Sequence, residues 1–198
     1  IKNILCITGD SVKAGDQQDT KAVHEFESVR LLQQIKAFNH GIDPTFNELS
    51  DQKTNIFSGA AADPSCRNQR SLKNRTIKKK EAGANFLQTQ MVMERSYLID
   101  FCEEISVPLG IPVIAGVFLL KSYKNALFIN KYVPGANIPE EILNRLKNAK
   151  DPLQEGLLIA AEQARDFINI AQGIHIMAVK AEHLIPTILE MADLNLEC

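Results

Sequence analysis

Apolar positions along this chain follow two alternating rhythms. Short, nearly continuous apolar runs fall at residues 3–8 (NILCIT), 55–61 (NIFSGAA), 85–90 (NFLQTQ), 111–118 (IPVIAGVF) and 174–178 (IHIMA). Such runs suit strands buried on both faces. Between them, apolar residues recur three and four positions apart, the spacing of a helix with one buried face. In the first such stretch, 26–38, Phe26, Val29 and Leu32 make the stripe, and Leu31 and Ile35 widen it. Further helices are predicted over 71–82, 94–105, 122–131, 139–148, 152–172 and 184–191. The helix at 152–172 has the clearest ends: Asp151 can cap it, Pro152 holds the first helical position, and Gly173 follows it. Pro112 fits only the beginning of its strand. Gly9-Asp10, and Gly41 with Asp43-Pro44, mark connectors.

Strands that alternate with helices predict an α/β fold with parallel strands and right-handed crossovers. Two architectures fit the pattern: an open doubly wound sheet, or part of a (β/α)8 barrel of the TIM type. No strand is followed by the Gly-rich dinucleotide fingerprint, which weakens the first. No internal repeat or low-complexity tract interrupts the chain, so residues 1–198 read as one domain.

Composition narrows the partners. The chain is 45% hydrophobic with a net charge of −2, so no bulk field draws it to nucleic acid or a membrane. There is no apolar run of about 18 residues and no signal peptide. Cys6, Cys66, Cys102 and Cys198 are far apart, which is neither a zinc pattern nor a disulfide framework. A reduced, cytoplasmic setting is the plain expectation. His24, His40, His175 and His183 lack paired metal spacing, so no metal is expected. The chain opens Ile1-Lys2-Asn3 without Met and is expected to be a piece of a longer polypeptide.

In parallel α/β folds, reactive groups gather at the carboxyl ends of the strands. Asp10, directly after the first strand, is the sharpest candidate there. It is placed either to hold a polar ligand edge or, as a turn residue, to accept backbone N–H bonds. Gln90 ends the third strand beside Thr89; its amide suits a heterocycle edge, or merely satisfies a loop entrance. Arg67, Arg70, Lys73, Arg75, Lys78, Lys79 and Lys80 form a basic run. It reads as a phosphate contact or as a solvated helix face; aromatic residues that would support nucleic-acid binding are not interleaved. Met91-Val92-Met93 reads as core or lining.

Several segments together resemble the methylenetetrahydrofolate reductase family. "NILCITGD" with the following "AGDQQDTKAVHEFESVRLL" is similar to that family's strand-four segment, which carries an LTGD-like motif. "KKKEAGANFLQTQ" resembles its (K/R)K-x-(E/D)AGA-x-x-x-x-TQ segment. "IPVIAGVFLLKSYKNALFINKYVPGANIPEEI" and "GIHIMAVKAEHLIPTIL" resemble its later segments, so the likeness runs from about residue 3 to 189. The resemblance implies a (β/α)8 barrel that binds FAD, reduced by NADH or NADPH, which then reduces methylenetetrahydrofolate to methyltetrahydrofolate. The strands here would be strands four to eight of that barrel.

Residue by residue, the resemblance implies that Thr8, Gly9 and Asp10 contact FAD, with Asp10 beside the flavin ring and the pterin and tuning the chemistry. His24 and Glu25 would lie at the FAD, and Ala61 and Asp63 in a loop around it. Lys78 and Lys79 match a basic pair near its phosphates. Gln90 would touch folate and nicotinamide in turn, and Asn125 and Lys180 would contact folate. Departures are present: His24 replaces an aromatic residue, residues 62–68 form a shortened loop, and Met91 and Met93 stand where Pro-x-Phe is common. The family's catalytic Glu belongs to the first strand, and no residue here takes that role. The missing strands would come from the same polypeptide, a fused domain or a partner, with a homo-oligomer as one form. Two other readings stand beside this one. The chain could be a flavin-free relative acting as a partner or regulatory module, or an unrelated α/β protein that holds a phosphate ligand on its basic helix.

Overall fold

The computed structural model describes residues 1–9, 27–45, 47–49, 53–133 and 135–194. Each predicted apolar run forms a strand: β1 (Asn3–Cys6), β2 (Phe57–Ala62), β3 (Phe86–Met91), β4 (Val113–Phe118) and β5 (Gly173–Met177). They make one parallel sheet in the order β1-β2-β3-β4-β5. The helices are α1 (Ser28–Asn39), α2 (Gln69–Glu81), α3 (Arg95–Phe101), α4 (Val107–Leu109), α5 (Tyr123–Tyr132), α6 (Glu140–Asn148), α7 (Pro152–Phe167) and α8 (Ile185–Met191).

Strand order decides between the two architectures. A doubly wound sheet reverses direction at a switch point, which puts helices on both faces. Here every crossover advances by one strand in the same direction. Right-handed crossovers of that kind lay all the helices on one face, as in the wall of a TIM-like barrel.

Side-chain burial follows the pleat. Cys6, Ser58, Ala60, Ala62, Leu87, Val113, Ala115 and Val117 are buried against the helices. Leu32, Leu98, Phe101 and Phe167 fill the space from the helix side. Full burial of each stabilises the fold by about 2–3 kcal/mol before entropy is counted. A second cluster, with Met91, Met93, Leu120, Ile129, Leu143 and Ile159, sits under α5, α6 and α7. The Met91-Val92-Met93 stretch is therefore core, as its composition suggested. On the opposite, inner face of the sheet, Leu5, Ala61, Phe86, Gln88, Ile114 and His175 are half-buried, and Phe57 remains 50% exposed.

Three predicted boundaries move for local reasons. The first strand leaves the ladder after Cys6, because Thr8 turns to cap α1. The helix predicted over 152–172 ends at Phe167. Beyond it Gln172 is committed to the sheet: its N–H donates to the Val113 carbonyl (3.0 Å) and its Oε1 accepts from Val113 N–H (2.8 Å). The helix predicted over 94–105 runs on through a π-helical turn, Cys102–Ser106, into α4. Pro108 accounts for the wide turn. It has no N–H to give the carbonyl four residues back, and its ring crowds that carbonyl.

Candidate functional site

The carboxyl ends of all five strands point the same way, since the sheet is parallel. Thr8 and Gly9 follow β1 and are exposed. Thr8 Oγ1 accepts from Ser28 N–H (3.1 Å) and donates to Ser28 Oγ (3.1 Å), so it caps the first turn of α1. Asp10, His24 and Glu25 lie outside the described residues.

After β2, Asp63 folds its loop back on itself. Its Oδ1 accepts from Ser65 N–H (3.1 Å) and from Ser65 Oγ (2.6 Å). Ser65 Oγ also lies 3.0 Å from the Gly135 carbonyl, which ties this loop to the one after α5. A Cβ at Gly135 would stand 2.8 Å from Asp63 Oδ2, so only glycine allows the two loops to approach this closely. Asp63 is thus a loop organiser in this arrangement.

Lys78 and Lys79 separate, because consecutive helical residues are about 100° apart around the axis. Lys79 continues the buried stripe of Leu72 and Thr76 and turns inward. Its Nζ donates to the Ala61 carbonyl at 2.7 Å. Burial, with the Arg75 guanidinium nearby, holds its ammonium below the usual lysine range, and Glu27 opposes that shift. Lys78 is exposed and lines a groove of about 350 Å³ with Asn68, Arg70, Ser71, Asn74 and Arg75. Of the basic run predicted from sequence, Arg70, Arg75 and Lys78 therefore line an outer groove, while Lys79 turns inward. Arg75 also donates to Cys66 Sγ (3.2 Å).

At the end of β3 the ladder with β4 breaks step. Gln88 pairs with Ile114 and Met91 with Gly116, so β3 spends one residue more than β4 over that interval. This is a β-bulge at Thr89–Gln90. Bulges disrupt the local ladder and re-aim side chains, and here side chains replace the lost backbone bonds. Gly116 N–H donates to Thr89 Oγ1 (2.9 Å), which in turn donates to the Gln90 carbonyl (2.7 Å). Met91 N–H donates to Gln90 Oε1 (2.9 Å), which fixes the Gln90 side chain against its own strand. The freed Thr89 carbonyl accepts from His175 Nε2 at 2.9 Å, across β4.

His175 reaches that carbonyl because Gly116 lies beneath its ring. A Cβ there would be 2.9 Å from His175 Nε2 and 2.7 Å from the Gln90 carbonyl oxygen. Donation from Nε2 leaves Nδ1 as an acceptor for Gln88 Nε2 (3.4 Å). Burial pushes the His175 pKa down, with the Thr89 carbonyl partly opposing. The ring is therefore neutral at pH 7. In the sequence, His175 stands out only as a histidine without metal spacing. Its pairing with Thr89 depends on strand register, although the glycine in the middle of "VIAGVF" was a visible sign of close approach.

The remaining rim residues join β4 to β5. Asn125 Oδ1 accepts from Lys121 N–H (3.1 Å), and Asn125 N–H donates to the capping Ser122 Oγ (3.1 Å). Lys121 Nζ donates to the Val179 carbonyl (2.8 Å). Lys180 follows at φ +56°, a left-handed conformation that is uncommon outside glycine and clusters at functional sites. Its N–H donates to Glu182 Oε1 (3.0 Å). Thr8, Ala61 with Lys79, Gln90, Asn125 and Lys180 thus share one end of the sheet, and Lys78 does not join them.

Among the described residues there is no group of three or more His, Cys, Asp or Glu side chains able to hold a metal ion. Among the same residues, no helix is long and apolar enough to cross a membrane.

None of the curated proteins matches the chain by sequence. Among solved structures it is similar to an uncharacterized protein from Clostridium thermocellum that binds two copies of 5-methyl-5,6,7,8-tetrahydrofolic acid. The TM-score is 0.54 at 20% identity, over 71% of this chain and 54% of that one, so the chain spans about half of that protein and the likeness is one of fold. The family model described as Methylenetetrahydrofolate reductase matches residues 1–193. A match over nearly the whole length, on a singly wound parallel sheet, places this chain in the methylenetetrahydrofolate reductase family.

Proposed function

We propose that this chain is the strand-four-to-eight sector of a flavin-dependent reductase that converts 5,10-methylenetetrahydrofolate to 5-methyltetrahydrofolate with NADH or NADPH. The observation that carries the reading is one rim, in a member of this family, that gathers Thr8, the Lys79–Ala61 pair, Gln90, Asn125 and Lys180. The folate-binding structural relative supports the substrate class.

The donors present fit FAD. Lys79 is a partly buried cation, held below the usual lysine range first by burial and then by Arg75, with one carbonyl as its hydrogen-bond partner. A phosphate would supply opposing charge through a charge-assisted bond. Bound FAD would supply the hydride chemistry between the nicotinamide and the folate. The chain's own groups would bind and orient. Thr8 and Gly9 would give open backbone beside the ligand, with the Thr8 hydroxyl held by Ser28, and Asp10 would set the charge near the flavin ring. Gln90 Nε2, free of hydrogen bonds within the described residues, donates to the pterin. Asn125 and Lys180 hold the far side of the folate.

The general acid and three further strands would be supplied from outside residues 1–198, by the same polypeptide or a partner. Support comes from the sheet itself: among the described residues β1 and β5 each pair on one side only, and the inner face is half-exposed. Unpaired edges and open apolar faces are costly unless covered.

The test is to purify the complete polypeptide and measure flavin content and NAD(P)H-driven folate reduction. Yellow protein with that activity is expected. Gln90→Ala is expected to raise KM for folate without lowering flavin content, and Asp10→Asn to slow folate reduction by about 10²-fold. A colourless protein that binds folate would replace this reading with the flavin-free one, and a protein that binds neither would end it.

A further inference from the structure

We propose that His175 is a positioning residue for substrate: it locks the β3 bulge and thereby sets the aim of Gln90. The inference rests on the reading of Gln90 as a folate contact and adds a residue to that site.

The argument starts from what a bulge does. One extra residue in β3 leaves Thr89 and Gln90 together opposite Ala115, and ladder partners are lost on both strands. Without replacements the segment could relax toward the regular register. A slip by one residue exchanges the two faces of a strand, which would turn Gln90 toward the helices and Thr89 toward the inner face. Three side-chain bonds oppose that slip. Thr89 Oγ1 accepts from the Gly116 N–H, Gln90 Oε1 accepts from the Met91 N–H, and His175 Nε2 donates to the Thr89 carbonyl.

Only the His175 bond comes from a different strand two places along the sheet in sequence order, bridging over β4. It anchors the bulge to β5, the strand that leads to Lys180. Gly116 makes the bridge possible, since any Cβ there would occupy the path of the ring. Gln88, one residue before the bulge, holds the other ring nitrogen and keeps the imidazole plane in place. His175 therefore acts on the folate through Gln90, without touching it.

The experiment uses the complete flavin-loaded protein and compares wild type, His175→Ala, His175→Gln, Gln90→Ala and the double variant His175→Ala/Gln90→Ala. Gln at 175 can place a donor amide near the position of Nε2. His175→Ala is expected to raise KM for folate about five- to tenfold, the scale of one lost hydrogen bond. Flavin content is expected to stay at the wild-type level, and His175→Gln to recover most of the loss. In the Gln90→Ala background, His175→Ala is expected to add nothing, because both changes remove the same contact. Additive losses, or an unchanged KM in His175→Ala, would overturn the inference while leaving the folate reading intact. If wild type binds no folate, that reading falls first. Amide exchange at Met91 and Val92 then decides for the bulge lock: faster exchange in His175→Ala than in His175→Gln supports it, and equal exchange refutes it.

Discussion

Gly156→Ala sets two well-known effects against each other. Gly156 lies in the second turn of α7 and is buried. By helix propensity alone, Ala is better by about 1 kcal/mol in a helix interior. Packing acts in the opposite direction. A Cβ on Gly156 would land inside van der Waals contact with the Leu120 carbonyl oxygen, and 3.7 Å from Leu119 Cδ1. The obstacle is backbone, so no side-chain rotation relieves it. Either α7 withdraws or the segment after β4 moves. Overpacking of a tight core costs about 1–3 kcal/mol, and a backbone obstacle belongs at the upper end. We therefore expect a net loss of about 2 kcal/mol, or a fall in Tm of about 4–8 °C for a domain of this size. Denaturant unfolding of the complete protein checks it, with exposed Gln154→Ala in the same helix as a control. A midpoint equal to or above wild type in Gly156→Ala would refute the packing argument. Leu120 leads directly into Lys121 and Ser122, so loosened folate binding should accompany the loss.

Other changes test the site and its supports. Lys79→Met keeps an apolar stem on α2 but removes the inward cation; flavin retention through ultrafiltration should fall about tenfold, with helix content unchanged. Equal retention would remove Lys79 from the phosphate role. His175 carries a pH signature. Its pKa is lowered in the fold, so the unfolded chain binds the proton first, and stability falls as pH drops below the ordinary value of 6.5. The difference in unfolding midpoint between about pH 8 and pH 5.5 should be smaller in His175→Gln than in wild type, and identical slopes would argue against it. Arg145 joins α6 to α7 through Glu155 (2.7 Å) and Glu162 (2.6 Å), which hold its pKa above the usual range. These groups are 24–44% exposed, so Arg145→Met should cost only about 1 kcal/mol, and less in molar salt.

What the sequence revealed follows from the range of the interactions involved. The five strands and most helices were legible because burial on one or two faces writes a period into neighbouring residues. The start of α7 was legible to the residue, since a cap is a local device: Asp151 Oδ1 accepts from Leu153 and Gln154 N–H at 3.0 and 3.1 Å. The bulge was not legible. "NFLQTQM" alternates without a visible extra residue, and the surplus exists only relative to β4. The split of Lys78 from Lys79 could have been read from the spacing Leu72, Thr76, Lys79 along one helix face. A count of basic residues hid it. The π-helical turn had a sign in Pro108, but proline alone does not say whether a helix stops, kinks or widens.

The unbroken strand order makes the fold modular. Among the described residues, each strand–helix unit is hydrogen-bonded through its strand only to the units before and after it. A cut between two neighbouring units would therefore sever a single ladder and leave every other ladder whole. Chains of this kind can gain, lose or exchange whole units at their margins, and two separate polypeptides can in principle meet along one seam. The exception is the imidazole bridge from the last strand to the third, which makes the final three units the stretch hardest to divide.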